Sequence, residues 1–98
     1  MSNTACEHAH AEFGRNVGKI QVGELPQLHL RGKVAWYVYA GPYSELGSKA
    51  FPEFWAKFGS TGLKMAGAPG DVYICDPEWH IKNKDEKNML TLIWCPVA

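Results

Sequence analysis

The sequence predicts an α+β domain: an antiparallel sheet of about four strands with one main helix packed on one face. Three observations lead there. Val34 to Ala40 is an unbroken run of β-branched, aromatic and alanine residues, the composition of a strand. After a Gly41-Pro42-Tyr43 turn, apolar residues recur at a spacing of four through Leu46, Ala50, Phe54 and Phe58, which is the stripe of a helix facing a core. Two further apolar runs, Asp71 to Asp76 and Met89 to Cys95, follow with a charged stretch between them. A chain of 98 residues is expected to form one domain. Residues 1–17 read as an N-terminal extension and 18–98 as the module.

The elements follow in order. Ile20, Val22 and Glu24 alternate with Lys19, Gln21 and Gly23, so a first strand is expected from about Gly18 to Glu24. Leu25-Pro26 ends it or makes it an edge. Leu28, Leu30 and Val34 continue a period of two across Arg31-Gly32-Lys33, where Gly32 predicts a turn or bulge. In the Val34 strand, Val34, Trp36 and Val38 share one face and Ala35, Tyr37 and Tyr39 the other. Neither face is polar, so both should be covered, one by the helix and the other by a subunit or a ligand. Ser44 is expected to be the helix N-cap, with Glu45 favourably placed at the positive end. Phe51 and Trp55 flank the stripe. Pro52 should kink the helix or divide it into two pieces, and Gly59 should end it. Ser60 to Gly70 reads as a glycine-rich loop whose Gly62–Met65 stretch orders over a neighbour. On the strand from Asp71 to Asp76, Asp71, Tyr73 and Cys75 would share a face, and Asp76-Pro77 would stop it. Glu78 to Asn88, with Trp79 and His80, reads as a solvated charged loop. Met89 to Cys95 is the last strand, apolar on both faces and closed by Pro96.

Composition limits the function classes. Lys plus Arg and Asp plus Glu number ten each, so the net charge is zero. That lacks the basic footprint of a nucleic-acid binder. No apolar run approaches the ~20 residues needed to span a bilayer, and the start, MSNTACEHAHAEF, is unlike a signal peptide. A cytoplasmic protein is therefore expected, with Cys6, Cys75 and Cys95 as free thiols. Cys6, His8 and His10 alternate in a way that could align three zinc donors. The usual finger spacings and a second ligand pair are missing, so neither metal nor cofactor is expected. No phosphate loop, nucleophile elbow, HExxH or CxxC pair occurs. Cys75 and Cys95, both on expected strands, read as core residues.

The aromatic content, 12% of the chain, carries the functional expectation. Tyr37, Tyr39, Tyr43, Tyr73, Trp79 and Trp94, with Asp71, could line a concave apolar site holding one carboxylate. Trp36 and Leu92 complete the expected lining. Ring faces attract positive charge and the carboxylate supplies the counter-charge, so the site suits a flat lipophilic cation. Set against this, aromatic residues on strands usually belong to the core.

The segments Glu24–Pro26 (ELP), Val34–Leu46 (VAWYVYAGPYSEL), Asp71–Pro77 (DVYICDP) and Thr91–Val97 (TLIWCPV) resemble the GyrI-like family. These are small-molecule effector-binding domains, also found fused to AraC-type and MerR-type regulators. The resemblance implies a strand–helix–strand–strand module, usually present twice in one chain with the ligand between copies. A single copy implies a homodimer that rebuilds the double module, with an isologous interface. It also implies binding of lipophilic cationic drugs and dyes, or hydrolysis of strained cyclopropane-bearing toxins, with Asp71 as the candidate catalytic acid. The family usually has Glu where this chain has Asp71, and often a second Glu where it has Leu92. That substitution disfavours hydrolysis, because a general acid or base must exchange a proton. A third reading is a protein-interaction module, for which gyrase inhibition is the family precedent. No DNA-binding helix pair is present, so the chain is not expected to act as a transcription factor.

Overall fold

The computed structural model describes residues 11, 13–26, 30–75 and 77–98. The expected Cys6, His8 and His10 donor set lies outside them. Four strands form one antiparallel sheet: β1 (Ile20–Leu25), β2 (Leu30–Ala40), β3 (Gly70–Tyr73) and β4 (Leu90–Pro96). Their spatial order is β1-β2-β4-β3. The main helical segment, from Tyr43 to Gly59, connects β2 to β3. This is the expected α+β architecture. No helix among the described residues is long and apolar enough to cross a membrane.

β2 is the spine. Ile20 lies opposite Tyr37 and Val22 opposite Ala35 on the β1 side. Tyr37 lies opposite Ile93, and Trp36 opposite Trp94, on the β4 side. Among the described strands β3 pairs with β4 alone, with Asp71 opposite Ile93 and Tyr73 opposite Thr91. The expected irregularity at Gly32 is real. The β1–β2 register slips between Gly23 and Leu25, and Gly32 takes φ 75° in the bulged segment, a backbone that glycine adopts freely.

Pro52 stands where the helical segment changes type, not in the interior of one regular helix. The segment changes type along its length: a 3₁₀ turn at Tyr43–Glu45, a π turn at Leu46–Ala50, then α1 at Phe51–Gly59. The Phe51 N–H closes the wide turn on the Leu46 carbonyl, and Pro52 falls in the first turn of α1. There its missing N–H is tolerated. The expected N-cap at Ser44 is corrected. Ser44 lies inside the 3₁₀ turn, Pro42 occupies the capping position, and no side chain caps the start.

The core has two layers. On one face Ala35, Tyr37, Tyr39, Ile93 and Cys95 pack beneath Leu46, Ala50, Phe54 and Phe58. On the other face Val34, Val38, Leu90 and Leu92 cluster with Phe13, Leu25 and Cys75. Val38 and Leu92 are both 0% exposed within a single chain. The expectation that this face waits for a second partner is therefore corrected. Part of its cover comes from before the module, because Phe13 packs edge-on against Trp36 with ring centroids 5.8 Å apart.

Three further expectations change. β3 stops at Tyr73 instead of running to Asp76, so Cys75 leaves the Asp71–Tyr73 face and joins the opposite core layer. The segment after it is largely solvent-exposed, as expected, but it is helical and not a loop. It forms a short helix, α2 (Pro77–Lys82), and a 3₁₀ turn at Glu86–Asn88. His80 is buried there, with Nδ1 3.0 Å from the Asp85 carbonyl and 3.4 Å from Asp85 Oδ2. Finally, the three thiols are not all free. Cys75 is disulfide-bonded, while Cys95 is a free, buried thiol whose pKa burial pushes up. The bonded Cys75 removes the argument for a reducing compartment, since disulfides persist in oxidising ones. The 60–70 loop does order over a neighbour: Met65 bridges Val97, and the Ala66 N–H donates to the Pro96 carbonyl at 2.8 Å.

Candidate functional site

The nine residues expected to line a site do not converge on one cavity. Strand alternation divides them. Tyr37 and Tyr39 face the helix, and the ladder places Asp71 and Tyr73 on that same face through Ile93 and Thr91. Trp36, Leu92 and Trp94 belong to the opposite layer, with Leu92 fully buried. Trp79 sits on α2 in edge contact with His80, centroids 5.0 Å apart.

The two most buried tyrosines are tied to helix carboxylates. The Tyr37 hydroxyl donates to Glu53 Oε2 at 2.9 Å, and the Tyr39 hydroxyl donates to Glu45 Oε1 at 2.9 Å. Burial first, then the bond to and charge of the partner carboxylate, pushes each phenol up to about 12. Both stay protonated across the physiological range. Glu45 also accepts from Lys49 Nζ at 2.8 Å. Those two hydrogen bonds, Lys49 first, hold its carboxyl below the usual range. Lys57 lies over the Tyr37 ring, 5.8 Å from its centroid, and donates to the Gly18 carbonyl at 2.6 Å. These contacts fasten the helix across β2 and leave Tyr37 and Tyr39 little freedom to meet a ligand.

Tyr43 and Tyr73 are different. Their rings stack face to face, with centroids 4.1 Å apart and planes 14° from parallel. The Tyr43 hydroxyl donates to the Cys75 carbonyl at 2.6 Å. That bond anchors the start of the helical segment to the end of β3, beside the disulfide. Tyr73 is 54% exposed. Asp71 is also exposed and lies two residues earlier on the same strand face. A half-exposed aromatic pair next to a solvent-facing carboxylate is thus brought together at the β3 edge.

Among the described residues, two buried polar atoms make no hydrogen bond: Thr91 Oγ1 and Trp94 Nε1. Each such atom costs about 1–3 kcal/mol. Trp94 sits over Gly70, its cross-strand partner, and contacts Gly70 so closely that any side chain there would meet the indole. Thr91 lies between Tyr39 and Tyr73 in the ladder.

Glu45, Glu53 and Thr91 are the polar groups that sequence reasoning missed as site neighbours. A signal for the first two existed. Around the Gly41-Pro42 turn the pairs nest, Tyr39 with Glu45 and Tyr37 with Glu53, as they must when a helix folds back over the strand before it. Thr91 gave no signal, because a hydroxyl within an apolar strand reads as one more β-former. Comparison with family models, with curated proteins and with solved structures finds no match for this chain.

Proposed function

We propose that this protein binds flat lipophilic cations on the surface formed by Tyr43, Tyr73 and Asp71. The observation that carries the reading is the 4.1 Å Tyr43–Tyr73 stack with Tyr73 half in solvent and Asp71 on the same strand face. An exposed aromatic face costs free energy in water and attracts a cation through its quadrupole. The nearby carboxylate adds counter-charge without the penalty of a buried ion. The resemblance to GyrI-like effector-binding domains points to the same ligand class. It also suggests sensing or sequestration by a homodimer, which would bring two such surfaces together along an exposed sheet edge. The hydrolase reading is disfavoured by Tyr37 and Tyr39, because phenols held near 12 exchange protons poorly at neutral pH.

The test is equilibrium binding of a panel of lipophilic cationic dyes, followed by tryptophan quenching and dye fluorescence. At least one dye should bind saturably. Asp71→Asn should weaken it about two- to five-fold, as expected for an exposed ion pair, and Tyr73→Ala by more, through loss of the ring face. Absence of saturable binding across the panel would remove the reading. Light scattering at micromolar concentration tests the dimer separately, and a monomer mass would reject it.

A further inference from the structure

Thr91 is fully buried on β4, on the face shared by Tyr39, Tyr73 and Asp71. Its cross-strand partners are Tyr39 on β2 and Tyr73 on β3. The three side chains therefore form one row across three strands, each step about 4.8 Å. The ring of Tyr43 covers the Tyr73 end of that row. Neither covering phenol serves the threonine. The Tyr39 hydroxyl is bonded to Glu45 and the Tyr43 hydroxyl to the Cys75 carbonyl, and Thr91 Oγ1 has no hydrogen-bond partner among the described residues. A valine would fill the same volume without an unpaired hydroxyl.

We propose that Thr91 is the hydrogen-bonding subsite of the cation surface. A flat cation carrying an N–H group at its ring edge directs that group to Thr91 Oγ1, in the row between Tyr39 and Tyr73, while its ring lies against Tyr73. To admit it, Tyr43 releases the Cys75 carbonyl and swings from Tyr73 to the other face of the ligand ring, so that it still forms part of the surface. Its ring already occupies the place of a flat ligand on Tyr73, and it is only partly buried. This inference rests on the binding reading above and narrows it. The preferred ligands are aromatic amines or amidinium-like cations with an N–H donor. Quaternary cations without a donor bind by stacking and charge alone.

The experiment compares two fluorescent cations on the whole chain: proflavine, which carries amino N–H groups, and thioflavin T, which has none. Wild type, Thr91→Val and Thr91→Ser are titrated with each, and thermal melts are recorded alongside. Thr91→Val should weaken proflavine about tenfold or more, the loss of a hydrogen bond from a charged donor, and leave thioflavin T within about twofold. Thr91→Ser should keep proflavine binding. The valine variant should melt no lower than wild type, because the shape is kept and an unpaired hydroxyl removed. If Thr91→Val leaves proflavine unchanged while both dyes bind, the subsite is wrong and the cation surface stands. If it weakens both dyes alike, Thr91 acts through structure and the subsite is again wrong. If neither dye binds wild type, this subsite is overturned; the panel above then decides the parent reading.

Discussion

The Tyr39 hydroxyl donates to Glu45 Oε1 at 2.9 Å, and this bond closes the turn between the central strand and the helix built on it. Tyr39 is nearly buried, and Glu45 is the last residue of the 3₁₀ turn. Replacing Tyr39 with Phe keeps the ring and deletes the bond. The expected loss is about 1–2 kcal/mol, read as a lower urea midpoint with an unchanged slope. A variant as stable as wild type would show that the helix start is held by apolar packing alone.

Alkaline pH should expose the same bonds. The Tyr37 and Tyr39 phenols rise from 10.0 to about 12 in the folded chain. Their contribution is complete below pH 10, where both states keep the proton. It is lost progressively from about 10 to 12, as the unfolded chain ionises first. Stability should fall across that window, and the double variant Tyr37→Phe/Tyr39→Phe should flatten the fall. Parallel alkaline profiles for the two proteins would count against it.

The thiol inventory is a direct check on the fold. Cys75 is disulfide-bonded and Cys95 free, in a chain with three cysteines. If the pairing is within one chain, denaturation without reductant should leave one alkylatable thiol, and reduction should give three. Mass spectrometry reads the difference. Three alkylated thiols before reduction would contradict the bonded Cys75.

Gly70→Ala tests how tightly the β3 edge is packed. A Cβ at Gly70 would run into the Trp94 indole. Overpacking of this kind costs about 1–3 kcal/mol, and tryptophan emission should shift as the indole moves. A melt within experimental scatter of wild type would mean that the ring yields freely.

Pro52→Ala should change stability by less than about 1 kcal/mol. Proline inside a regular helix costs ~3 kcal/mol, so its removal would stabilise strongly if Pro52 stood in a helix interior. In the first turn of α1 it has no such penalty and stiffens the unfolded chain. A gain near 3 kcal/mol would show that the π turn does not absorb the proline.

The strands and the helix were legible because their signals are local. The apolar run at Val34–Ala40, the stripe through Leu46 and Phe58, and the glycine at the bulge each act through near neighbours. α2 was not legible, because its six residues, PEWHIK, are too few to display a period and begin with a proline that leads into a charged stretch. It is anchored by His80, which is fully buried and lies against Asp85. The candidate site was half legible. Asp71 and Tyr73 belong together by simple alternation, and Tyr43 by its turn. The division of Trp36, Leu92 and Trp94 from the tyrosines followed from alternation as well, but a single aromatic pocket ignored it. What closes the second face was hidden, because Phe13 reaches it from before the expected strands and Cys75 from an expected strand that stops short at Tyr73.

The π turn at Leu46–Ala50 also sets the phase of the helix. In a regular α-helix four residues advance about 400°, so a stripe of spacing four drifts about 40° per step. Leu46, Ala50, Phe54 and Phe58 nevertheless all stay buried on the sheet, because the wider turn holds back the first step. It holds one residue more than an α-turn. Losing a residue there, for instance Ser48, would leave α1 in place and rotate everything before it by about 100°. Tyr43 would leave Tyr73 and Glu45 would leave Tyr39, with no change to any of those side chains. The length of this segment therefore specifies the aromatic surface as firmly as the tyrosines themselves.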